Sequence, residues 1–100
     1  MSRTSAADLK VLALDVGREI AGPDAIGDVD VGEAVIYNRL AIQFTYLFHR
    51  NLSRIDPGTA RIKIDLRLAD ELENRGESNA PLLTMLDQRD WDQRSTNRSA

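Results

Sequence analysis

Side chains able to do chemistry occupy four places in this chain: one histidine, His49; an aspartate in an apolar run, Asp15; a group of acids at Asp24, Asp28, Asp30 and Glu33; and six bases between Arg39 and Arg67. Acid–base or nucleophilic catalysis by His49 requires an activated serine or a carboxylate beside it, and no nucleophile elbow or comparable motif accompanies it. The four acids invite a calcium reading that their spacing refuses. Counted from Asp28, an EF-hand loop wants an oxygen ligand where Gly32 stands, a glycine where Glu33 stands and a glutamate where Arg39 stands. They read instead as solvated acids of a turn. The glycines are scattered singly, so there is no phosphate-cradling loop, and the chain has no cysteine for a disulfide or a thiolate metal site. The chain is therefore expected not to be an enzyme and to need no cofactor or metal.

Asp15 lies in KVLALDVG, residues 10–17. This string resembles the opening strand of ribonuclease-H-like nucleotidyltransferases, Holliday-junction resolvase homologues among them. The resemblance implies a strand there and a divalent metal on the aspartate. The next residues, REIAGPDAIGDVDV, lack the second long strand that such a fold needs. Residues 10–17 and their neighbours make a better helix: Leu9, Leu12, Ala13, Val16 and Ile20 share a face, Ser5 is placed to cap it, and Asp8 completes a capping box.

Charge is laid out in blocks. Residues 8–33 carry seven acids against two bases, residues 39–67 six bases against two acids, and residues 70–77 return to an acidic surplus. Within one domain such blocks can neutralise each other; alternatively the basic one docks an acidic partner, a second copy of the chain or a nucleic acid. The net charge of −3 argues against general nucleic-acid binding.

The elements that would position these groups read as helices. Residues 31–53 hold four of the five aromatics, with no glycine or proline from Ala34 to Leu52, and Asp30 with Glu33 form an acidic capping box at the start. The spacing predicts one long, mostly buried helix, interrupted by Asn38, Arg39 and Gln43 and so no membrane span. Asp56-Pro57 announces a third helix, ending at Gly76. Inside it ARIKIDLRL, residues 60–68, alternates strictly and competes as a strand. Asn79 and Pro81 open a fourth helix, carrying Leu82, Leu83, Met85 and Leu86.

The expected fold is thus mainly α: a compact four-helix domain, residues 5–92, with helices near 5–21, 31–53, 57–75 and 80–90 and the second as central axis. Residues 93–100 form a polar flexible tail. The alternative is an α+β domain with a strand at 60–68. The expected function is that of a small non-enzymatic protein-interaction module, cytoplasmic, self-associating through the long helix or binding a protein partner. The expected contact residues are Arg39, Tyr46, Arg50, Arg54 and Trp91. The alternative is an accessory protein binding nucleic acid through the 39–67 block.

Overall fold

The computed structural model describes the backbone of residues 5–99 and the side chains of residues 5–94; the last residue of the expected tail lies outside them. Helix α1, Ala6–Ala21, is followed by strands β1, Ile26–Ile36, and β2, Arg39–Phe48. After a 3-10 turn at Arg50–Leu52 come helix α2, Pro57–Asn74, strand β3, Ala80–Leu86, and helix α3, Gln88–Ser99. The domain is α+β, not a four-helix bundle. Its sheet has the order β1-β2-β3, with β1 and β2 an antiparallel hairpin and β3 parallel to β2, joined to it through α2.

The expected helix over 31–53 is overturned, together with self-association through it. Strand β2 is covered on one face by α1 and α2 and crossed on the other by α3, so buried residues follow one another along it from Ala41 to Phe48 with only Gln43 less buried, and it does not alternate. A strand without alternation and a helix apolar all round look alike along a sequence. The apparent capping box has another explanation, since Asp30 and Glu33 are ladder residues opposite Thr45 and Ile42. Residues 80–90 are likewise not one helix. Pro81 lies near the start of edge strand β3, a place where a missing N–H is tolerated. Helix α3 continues through 93–99, where a tail was expected.

Helices α1 and α2 form where their end signals stand. The Ser5 hydroxyl accepts the Asp8 N–H at 3.1 Å, and the Asp56 carboxylate accepts the Thr59 N–H at 2.9 Å. Helix α2 closes with Gly76 in the left-handed region, φ 77°; the Gly76 and Glu77 N–H groups donate to the Glu73 and Leu72 carbonyls. Residues 60–68 are helical, so the strand alternative for them fails. Their alternation arises because Ala60, Ile64 and Leu68 face the core while Ile62 and Leu66 are exposed on the far side. Residues 10–17 are helical too, and Asp15 lies on the exposed side of α1. The strand implied by the ribonuclease-H-like resemblance is absent there.

The core lies between the two helices and one face of the sheet, where Leu9, Leu12, Val16, Ile64, Leu68 and Leu72 meet Val29, Phe44, Tyr46 and Leu83. The Tyr46 hydroxyl donates to the Ala13 carbonyl at 2.8 Å, and burial pushes its pKa well above the ordinary phenol value. Gly17 permits this approach of helix to sheet: a Cβ there would lie 2.9 Å from the Tyr46 ring. The other face of the sheet is crossed by α3, held by an ion pair between Arg94 and Asp30 at 2.6 Å.

Both lateral edges of the sheet are guarded. On β1 the ladder register shifts between Ile26 and Asp28, and the strand carries Asp28, Asp30 and Glu33. On β3, which has no charged residue, the Arg61 guanidinium reaches over from α2 and donates to the Leu83 carbonyl at 3.3 Å.

Candidate protein-interaction surface

The one end of the sheet without such a guard is the hairpin. Ile36 pairs with Arg39, so only Tyr37 and Asn38 make the turn, and both have positive φ, 50° and 64°. A two-residue turn of this kind matches the twist of the strands and requires left-handed backbone at both positions. Asparagine tolerates that conformation well, whereas tyrosine gains nothing from it. Tyr37 is also 95% exposed, so packing within the chain does not compensate it.

Behind the turn, Val35 faces Leu40 across the ladder, and these two are 67% and 50% exposed. Strand β3 begins opposite Ala41, so the ribbon beyond that point has two strands only. Helix α1 starts and α2 ends near this level, and among the described residues nothing buries Val35 or Leu40 on the ribbon's core-side face. Just below, where α1 begins, Leu9, Val31 and Ile42 floor a groove of about 460 Å³ with Glu33 and Glu77 among its lining residues. Val31, Val35, Leu40 and Ile42 all lie on the same side of the hairpin, and Glu33, opposite Ile42, interrupts this apolar strip between projection and groove.

The five expected contact residues do not come together. Arg39 is at the exposed end of the hairpin. Arg50 and Arg54 lie beyond the opposite end of β2, about 30 Å away at the usual strand rise. Tyr46 is wholly buried and offers nothing to a partner, a correction that follows from its place on the core side of the central strand. Trp91 is half-buried on α3, with the Arg94 guanidinium 5.4 Å from its ring centre. The residues that sequence reasoning missed are Val35, Tyr37 and Leu40. Their signal was a Tyr-Asn break between two runs rich in β-branched and aromatic residues.

The basic block is dispersed as well. Arg39 and Arg50 sit at opposite ends of the sheet, Arg61 is turned onto the β3 edge, and Arg67 meets Glu19 of the acidic block at 3.2 Å. Lys10 and Asp28 pair at 3.4 Å. Two of these contacts, Arg67–Glu19 and Arg94–Asp30, tie an acid of residues 8–33 to a base from later in the chain.

His49 is half-buried and packs at the register shift, where a Cβ on Gly27 would lie 2.8 Å from its Nε2. Asp15 lines a shallow cleft between α1 and α2 in which acids alternate with Arg67 and Arg75. Among the described residues no three His, Asp or Glu side chains gather as metal ligands, and no helix is long and apolar enough to cross a membrane. Fold and surface together define a small α+β domain with an apolar hairpin arm. No protein-family model, no curated protein and no solved structure matches the chain.

Proposed function

We propose that this protein is a small non-enzymatic interaction module that engages a protein partner through the open end of its hairpin. The observation that carries the reading is Tyr37: an aromatic side chain at left-handed φ, 95% exposed, in a turn where asparagine or glycine costs less. Local strain that the chain itself does not compensate concentrates at functional sites. Tyrosine is moreover a residue of choice for contact, since it supplies a large apolar area and a hydroxyl with only two rotatable bonds. Val35 and Leu40 extend the patch, and Arg39, the only charged residue between Ala34 and Ala41, gives it a polar rim. The guarded edges of β1 and β3 support the choice of this end.

Site-specific photo-crosslinking tests the reading. A benzophenone side chain at position 37 is expected to give covalent protein adducts in cells, while the same group at the exposed position 73 of α2 gives none. Equal labelling at both positions, or none at 37, would discard the proposal.

A further inference from the structure

We infer that the partner seated on this surface is an amphipathic segment of another protein that carries a lysine or arginine between apolar side chains. The inference rests on the reading of the hairpin end as a contact surface and names the chemistry of its occupant. On the core-facing side of the hairpin, Val31, Glu33 and Val35 follow one another along β1, with Ile42 opposite Glu33 and Leu40 opposite Val35. Whatever covers Val35, Leu40 and the groove floor must therefore cover Glu33 as well. A carboxylate withdrawn from water without a counter-charge costs more than a neighbouring apolar contact returns. A partner that brings a cation to this point turns the same carboxylate into an attraction.

The chain does not supply that cation itself. Among the described residues no base pairs with Glu33. Arg39 is next to Leu40 in β2 and so lies on the opposite side of the hairpin. The charged residues lining the groove, Glu33 and Glu77, are both acids. The positive end of α1 borders the groove at Ser5 and Ala6, but it is already met by Asp8 in its first turn and by the Ser5 hydroxyl. A second copy does not fit, because this face would bring only acids to Glu33. Leu9, Val31 and Ile42 receive an apolar side chain on one side of the cation, and Val35 and Leu40 receive one on the other.

Fluorescence anisotropy with a labelled amphipathic peptide of leucine and lysine tests this, its leucine–glutamate counterpart serving for comparison. The full chain is expected to bind the first and not the second. Glu33, Leu40 and Glu73 are all exposed, so E33K, L40S and E73K each remain folded by circular dichroism. E33K weakens binding of the lysine peptide on the order of tenfold or more and gains binding of the glutamate peptide. E73K makes the same change of net charge on the outer side of α2 and leaves the affinity within about twofold. L40S alters no charge and still weakens binding, which general attraction of a basic peptide to an acidic chain would not produce. No binding of the lysine peptide, equal losses in E33K and E73K, or an L40S variant that binds like the wild type would each overturn the assignment. Protein adducts from position 37 without binding of the lysine peptide would leave the contact surface standing and remove only the chemistry assigned to its occupant.

Discussion

At the scale of single residues, Tyr37 and Tyr46 show two opposite uses of one side chain. Tyr37→Asn replaces a strained position with one that favours left-handed backbone, and is expected to raise stability by about 0.5–1 kcal/mol. Cross-linking should fall in the same variant. A urea titration with an unchanged slope checks the gain; a loss of stability would mean that the aromatic ring stabilises the turn. Tyr46, by contrast, is buried with its hydroxyl on the Ala13 carbonyl, so Tyr46→Phe should cost about 1 kcal/mol. The pH dependence follows from the raised phenol pKa. The folded state keeps the proton longer than the unfolded one, whose phenol titrates near pH ~10. Stability from this group is complete below that value and is lost as pH rises through it toward the folded pKa. The phenylalanine variant should lack this alkaline loss in a thermal melt series.

Among the elements, the helices with chemical end signals were readable and the strands were not. Ser5 with Asp8, Asp56 with Pro57, and Gly76 each mark a helix end by a hydrogen bond that the sequence implies and the structure contains. The hairpin has no glycine in its turn, and its central strand shows no alternation because helices cover one side and α3 crosses the other. Strand β3 was hidden by Asn79 and Pro81, which suit a helix start equally well. Two predictions belong to this scale. Gly17→Ala improves intrinsic helix propensity by about 1 kcal/mol, yet it places a Cβ against the Tyr46 ring and Ile26. Net destabilisation is expected, and a higher melting temperature would show that the sheet can give way. Asp56 is held below the ordinary carboxylate pKa, chiefly by the Thr59 backbone N–H and then by the Thr59 hydroxyl. Its contribution is therefore present above the unfolded value and lost as pH falls through the folded one. Asp56→Ala should lower the melting temperature at neutral pH, and the gap from wild type should close in acid.

For the whole molecule, the block layout of charge was legible, but which blocks meet was not, because that depends on the sheet order. Arg67 finds Glu19 only once α1 and α2 lie together, and Arg94 finds Asp30 only through α3. The expected contact set failed for the same reason. Arg39, Tyr46 and Arg50 would lie along one rod, with Arg54 just past its end, if residues 31–53 were helical; with β2 and the turn after it in their place, the four reach from one end of the molecule, through its interior, to the other.

The hydrogen bond from Arg61 to the Leu83 carbonyl has a consequence for how copies could stack. Without it, β3 would offer a seven-residue uncharged rim to any passing chain, with proline as its remaining obstacle. Arg61→Ala should keep the native circular dichroism spectrum and yet nucleate thioflavin-positive fibres. In that sense a single guanidinium on a helix decides whether the far side of the sheet ends or begins to propagate.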